Sequence, residues 1–244
     1  LWIDGKWLSR DNELPVYDPS SGEEIAKVAM ASEADTENAI NVANKAFVDW
    51  STVTAKQRTA LLNKWFHLIM DNQSDLATIL TAEQGKVLAE AKGEIAYGAS
   101  YIEWFAEEAK RVYGETIPGH QVDKRITVIK QPIGVVASIT PWNFPNAMIT
   151  RKVAPALAAG CSFVARPATE TPLSALAIAL LAERAGVPKG VFSVITSKKS
   201  SLIGQEFCSN PAIRKLTFTG STEVGRILMR QSAEQIMKVS MELG

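Results

Sequence analysis

With 244 residues, 46% of them hydrophobic, the chain is long enough for one large domain or two small ones with ample core. Its 26 basic residues balance 26 acidic ones, so no net field attracts nucleic acid or an anionic membrane, and neither is expected as a partner. Two cysteines, Cys161 and Cys208, make no disulfide framework, and no apolar run reaches the roughly 20 residues needed to span a bilayer, so a cytoplasmic protein is expected.

The opening Leu1–Trp7 places a turn-like Asp4-Gly5 where a signal or transit peptide would carry an apolar or basic run. It has no starting Met, so the numbering is expected to begin inside a longer chain. Residues 32–109 read as helices. Ser32 with Asp35, and Thr54 with Gln57, are spaced as capping boxes ahead of apolar-periodic segments. Ala39, Ala43, Ala46, Phe47 and Trp50 form one face; Leu61, Leu62, Trp65, Phe66, Ile69 and Met70 form the next. These aromatics are read as core, and Gly85 as the end of a third helix.

The character changes between 112 and 133. Gly114, Pro118 and Gly119 mark loops, and Arg125–Gln131 alternates Ile126, Val128 and Ile129 with polar neighbours, as a half-exposed strand would. From 134 onward apolar runs alternate with helical stretches: Val135–Ile139, Ser162–Ala165, Val191–Ile195, Leu216–Phe218 and Val239–Met241. That alternation predicts an open α/β fold with a parallel sheet and crossover helices. Gly160 and Gly186 fall where helices should stop, Pro172 where one should start. The chain divides into 1–111 (N-terminal strands and helical layer), 112–133 (an arm) and 134–244 (the parallel α/β portion).

Ligands of such sheets bind beyond the carboxyl ends of the strands, and each predicted strand end carries an unusual segment. Thr140-Pro141-Trp142-Asn143-Phe144-Pro145 would pin an amide at the rim, able to donate to a developing oxyanion or a ligand; on residue type alone a structural Asx turn is favoured. Arg166-Pro167-Ala168-Thr169-Glu170-Thr171-Pro172 puts a guanidinium and two hydroxyls beside a helix start, suited to phosphate or ribose oxygens, although an arginine near a loop is more often merely solvated. Thr219-Gly220-Ser221 opens a helix whose first N–H groups are free for an anion. Gly220 and Gly225 have P-loop spacing, but Arg226-Ile227 stands where Lys-Ser or Lys-Thr is required, and G-x-G-x-x-G is absent. Val239–Gly244 places Glu242 at the end of an apolar strand, where desolvation would raise its pKa towards a working general base.

Pro-Trp-Asn-Phe-Pro, Phe-Thr-Gly-Ser-Thr-Glu-Val-Gly and Glu-Leu-Gly together resemble the aldehyde dehydrogenase superfamily, collinearly over essentially the whole chain. The segments Glu83–Lys86, Ala89–Glu94, Ile102–Glu108 and Met148–Lys152 resemble the succinate-semialdehyde branch. The resemblance implies a Rossmann-like cofactor domain with flanking helices and a β oligomerisation arm at 112–133, in a protein that assembles as a homo-oligomer, a dimer or tetramer when full length. It implies that Asn143 donates to the oxyanion, that Glu242 activates water, and that Arg151 holds a substrate carboxylate. Thr140, Pro141, Trp142, Arg166, Pro167, Ala168, Thr169, Gly220, Ser221 and Leu243 would contact NAD or NADP; no metal is implied.

Two departures stand out. The family nucleophile, a cysteine a few dozen residues beyond Glu-Leu-Gly, does not occur in this chain, so the catalytic domain is expected to be absent and the fragment alone inactive. Cys161 is read as a small buried thiol, and Gly204-Gln205-Glu206-Phe207-Cys208 as a decoy. Arg166 stands where the family usually has lysine, and Thr169 where NAD enzymes tend to have glutamate. Together with Lys198 and Lys199 these tilt the expectation towards NADP. A bare arm edge predicts association through residues 112–133 or poor order there. The competing reading is a fragment that binds a dinucleotide, or only assembles with itself, without turnover; a third is a dehydrogenase for another aldehyde.

Overall fold

The computed structural model describes all 244 residues. Two short hairpins come first: β1 (Trp2–Ile3) with β2 (Lys6–Trp7), then β3 (Glu13–Tyr17) with β4 (Glu24–Ala29). Four helices follow: α1 (Glu33–Trp50), α2 (Ala55–Asp71), α3 (Gln73–Gln84) and α4 (Leu88–Glu108). Both predicted capping boxes are present, with Ser32 accepting from the Asp35 N–H and Thr54 from the Gln57 N–H. Gly85 ends α3 in the left-handed conformation, φ 83°, a region that a residue without Cβ enters freely.

The arm is a separate two-stranded sheet of β5 (Glu115–Pro118) and β6 (Arg125–Val128). Every residue of both strands is exposed, so the expected half-exposed strand is corrected to one open on both faces; nothing in the chain packs over it. The remainder alternates strand and helix: β7 (Val135–Ile139), α5 (Ala147–Ala158), β8 (Ser162–Arg166), α6 (Pro172–Ala185), β9 (Phe192–Val194), α7 (Ser200–Ser209), β10 (Ile213–Gly220), α8 (Thr222–Ala233) and β11 (Lys238–Leu243).

The main sheet has the order β11-β10-β7-β8-β9-β1-β2. Its five later strands pair in parallel as predicted. At one edge the N-terminal strands join it: β1 pairs antiparallel with β9 and β2 antiparallel with β1. The Asp4-Gly5 turn makes this possible: Asp4 and Gly5 have φ values of 55° and 65°, the left-handed pair that a tight hairpin requires.

All five residues of both β7 and β8 are buried, which is why these strands read as mainly apolar runs rather than as an alternation. Successive side chains face opposite sides. Phe163 and Ala165 join a cluster of 33 residues with Trp65, Ile69, Ile95, Ile102 and Leu157, binding α2, α4, α5 and α6 to one face. Val164, Val135 and Ala137 join a cluster of 18 with Ile40, Ala43, Phe207 and Leu228 on the other. The sheet is thus packed from both sides.

Candidate active site

Strand order reverses between β7 and β10: β8 and β9 continue on one side of β7, whereas β10 and β11 return on the other. The carboxyl ends of β7 and β10 therefore flank the switch point at which open α/β sheets bind ligands. Thr140–Asn143 leave β7 there and Gly220-Ser221 leave β10. Arg166 ends β8, and Glu242 pairs in register with Thr219 near the end of β11.

Two depressions share this rim. One, of about 360 Å³, is lined among others by Thr140, Pro141, Trp142, Arg166, Ala168, Gly220 and Ser221, within the size range of small-molecule sites. The second, of about 540 Å³, is lined by Pro141, Trp142, Asn143, Thr219, Gly220, Ser221, Glu242, Leu243 and Gly244. The shared wall makes them neighbours, so all the predicted residues except Pro167, Thr169 and Arg151 meet there. Pro167 is buried and lines neither. Thr169 lies behind the first pocket, where its Oγ1 accepts from the Arg166 guanidinium at 2.8 Å and donates to the Ser197 carbonyl at 3.3 Å.

A dinucleotide fits the first pocket on three grounds. Thr140 Oγ1 and Arg166 Nε are buried without a partner in the protein, and buried polar groups normally find one. The leading N–H groups of α8 have no intrahelical acceptor and favour an anion, beyond the one N–H, of Val224, that Ser221 caps. A Cβ on Gly220 would lie 2.5 Å from the Phe218 ring, so any other residue here would have to displace that buried ring. Arg166 is 7% exposed and bonded to the Ser197 carbonyl at 3.1 Å, which corrects the reading of a merely solvated arginine.

Asn143 is exposed and no Asx turn forms. The residue is held instead through its backbone carbonyl, which accepts from Lys86 Nζ at 3.1 Å, leaving the amide free to face a ligand. Glu242 departs from expectation more clearly. Its side chain is 40% exposed, with Arg151 at 3.1 Å and Lys152 at 3.7 Å, and it accepts from Thr219 at 2.8 Å. The predicted desolvated carboxylate is thereby corrected to a solvent-reached one between two cations. Among these 244 residues β11 is the edge strand of the sheet.

Arg151 lies across a third depression of about 400 Å³ that also holds Lys152, Lys215 and Glu242, so Glu242 separates it from the Asn143 depression. The arginine is 30% exposed and its guanidinium lies 5.4 Å from the Tyr101 ring centre. Lys152 was not singled out for a role by the sequence. Its side chain is 3% exposed, and burial pushes its ammonium down to about 8 against the opposing pull of Glu242. The one available signal was a lysine in the middle of an apolar helical run, Ala147–Ala158.

Both cysteines are buried and unpaired, and burial pushes each thiol up, as expected of small packing residues rather than nucleophiles. No cluster of side chains suited to a metal ion is present, and no helix is long and apolar enough to cross a membrane.

Comparison with known proteins places these features in a family. The profile of the aldehyde dehydrogenase family matches residues 7–244. A glutarate-semialdehyde dehydrogenase of Pseudomonas aeruginosa is 61% identical over 100% of this chain and 50% of its own length. A succinate-semialdehyde dehydrogenase [NADP(+)] of Escherichia coli is 59% identical over 99% of this chain and 50% of its own. The crystal structure of an E. coli NADP dependent enzyme superimposes with a TM-score of 0.98 at 58% identity, over 100% of this chain and 51% of that one. The chain spans about half the length of the relatives it matches.

Proposed function

Because the chain belongs to the aldehyde dehydrogenase family, we propose that it forms the dinucleotide-binding portion of an enzyme that oxidises succinate semialdehyde to succinate with NAD(P). The observation that carries this reading is the meeting of Asn143, Gly220, Ser221, Glu242 and Leu243 in one depression beside the pocket of Thr140 and Arg166.

When bound, the dinucleotide accepts the hydride. The residues of this chain do the rest of what falls to them. Thr140, Arg166 and the amino end of α8 hold polar and anionic groups of the ligand; Trp142 and Pro141 wall it; Asn143 donates to the aldehyde oxygen as negative charge develops there. Glu242 takes a proton from the water that releases the acid. Cys161 and Cys208 are excluded as the thiol by burial, so that role falls to residues other than these 244. NADP is preferred over NAD in this reading. The amino end of α7, with Ser200 and Ser201, opens on the same pocket, Lys198 and Lys199 precede it, and Thr169, behind the pocket, carries no charge to repel a 2′-phosphate; Glu170 is the one acid on the pocket wall.

Arg151 supports a substrate bearing an acid group. Its pairing with Glu242 is half-exposed, and such pairs are worth about 1 kcal/mol or less, so a carboxylate able to take two guanidinium bonds can replace Glu242 as its partner. The named relatives act on four- and five-carbon semialdehydes of this kind. The test compares kcat/KM for succinate semialdehyde and butanal in the complete gene product, with and without Arg151→Ala. The preference for the acid is expected to fall by about tenfold or more, as the loss of a charge-assisted bond implies; a preference that survives refutes the role of Arg151. The 244-residue chain is expected to bind NADP without turnover, and turnover by it would refute placing the thiol elsewhere. The bare β5–β6 hairpin supports homo-oligomerisation, because two strands with no buried face are marginal alone; a monodisperse monomer with its arm protected from hydrogen exchange would refute that.

A further inference from the structure

The segment that presents Asn143 is not held by its own residues. Asn146, which opens α5, makes no capping bond with its side chain, and both polar atoms of that buried side chain are unpartnered. The support comes from α4 and the loop before it. Glu94 Oε1 accepts from the backbone N–H of Asn146 at 3.0 Å and of Ala147 at 3.3 Å, supplying the amino end of α5 with a carboxylate from a residue 52 positions away. Its other oxygen takes Lys86 Nζ at 2.6 Å. The same ammonium donates to the Asn143 carbonyl at 3.1 Å and lies 3.8 Å from the centre of the Phe144 ring. The turn from 143 to 147 is thereby gripped at both ends and in the middle by one ion pair.

The pair is nearly water-free, with side-chain exposures of 11% for Lys86 and 1% for Glu94. Packing makes it tight: a Cβ on Gly98, one turn beyond Glu94, would collide with the Asn146 side chain, so the glycine is what lets α4 approach the turn. A buried ion pair is a poor device for stability alone, since well-packed apolar residues commonly match it. What it supplies here is direction, because each of its bonds ends on a backbone atom or a ring of the Asn143 turn. Resting on the oxyanion role given to Asn143 above, we propose that Lys86 and Glu94 are positioning residues that set the aim of the Asn143 amide.

The test is a double-mutant cycle in the complete gene product, with Lys86→Met and Glu94→Gln each made in the native and the Asn143→Ala backgrounds. Asn143→Ala is expected to lower kcat by about 100-fold or more, as loss of one oxyanion donor does. Lys86→Met is expected to lower kcat by about 10- to 100-fold, the scale of a misplacement near 1 Å, with KM and the NADP dissociation constant changed less than about threefold. In the Asn143→Ala background the further loss from Lys86→Met should shrink to less than about threefold, because residues acting through one group are not additive. Lys86→Arg should restore part of kcat in the native background, and it carries the cycle if Lys86→Met does not fold. Equal losses in both backgrounds, or a kcat unmoved by either change at Lys86, would overturn the inference while leaving the role of Asn143 intact. An unaffected kcat in Asn143→Ala alone would overturn both.

Discussion

Replacing Glu83 by glutamine sets burial against hydrogen bonding at a single carboxyl group. Glu83 is 2% exposed at the end of α3, where its oxygens accept from the N–H groups of Leu173 at 2.7 Å and Ser174 at 2.8 Å, the start of α6. Burial raises the group from the usual 4.5 to about 7; the bonds from Ser174 and Leu173 oppose this, and the neighbouring Glu94 charge adds to it. The folded chain therefore holds this proton where the unfolded chain has released it. Stability attached to Glu83 is fully present below pH 4.5 and is lost as pH rises through about 7, by on the order of 3 kcal/mol for a separation of that size. Glutamine keeps one acceptor oxygen and does not titrate. Urea unfolding of the 244-residue chain at intervals from pH 5 to pH 8 should thus give a difference, native minus Glu83→Gln, that falls by a large part of that amount. A difference that stays flat, or one that rises with pH, would mean that the two N–H donors and the helix end outweigh desolvation, and would refute the argument.

Two further outcomes are expected. Gly220→Ala should weaken NADP binding to the 244-residue chain by about tenfold or more, roughly 1.4 kcal/mol, because its Cβ would meet the buried Phe218 ring at 2.5 Å; quenching of Trp142 fluorescence reads this, and unchanged affinity contradicts the placement of the ligand against this turn. Lys152→Met should stabilise the chain near pH 7, since burial brings the lysine from 10.5 down to about 8 and the folded state resists its charge. That gain, at most about 3 kcal/mol, should fade between pH 8 and pH 10.5, where the native lysine is neutral in the fold but still charged when unfolded; a gain independent of pH would show packing rather than charge to be its source.

Local signals in the sequence were the readable ones. The capping boxes at Ser32 and Thr54 involve residues three apart, and β7 and β8 are buried on both faces, so they are apolar apart from Ser138, Ser162 and Arg166. The N-terminal strands are expected without bounds: β3 alternates buried Leu14 and Val16 with exposed Glu13 and Tyr17 but over only five residues and through Pro15, and in β4 the charged Glu24 and Lys27 break the pattern. Strand ends gave the positions of Asn143, Arg166 and Gly220 because topology alone decides which rim they share. The environment of Glu242 was misjudged for the opposite reason. Its partners are two cations from α5 and a hydroxyl from β10, none of which is a property of residues 239–244.

Glu83 and Glu94 show why part of the site lay outside local reading. Neither α5 nor α6 is capped by a side chain of its own, yet the amino ends of both are packed inside the molecule, where free N–H groups need acceptors. Each acceptor is a buried carboxyl group from the helical layer: Glu94 of α4 for α5, Glu83 of α3 for α6. The loops immediately before these helices are the Asn143 turn and the Arg166–Thr169 segment. Docking of residues 73–108 against the sheet therefore does more than bury apolar area, since without it both ligand-facing loops would enter helices with unsatisfied ends. The helical layer, which by composition reads as packing alone, thereby sets the geometry of the two loops that face the ligand.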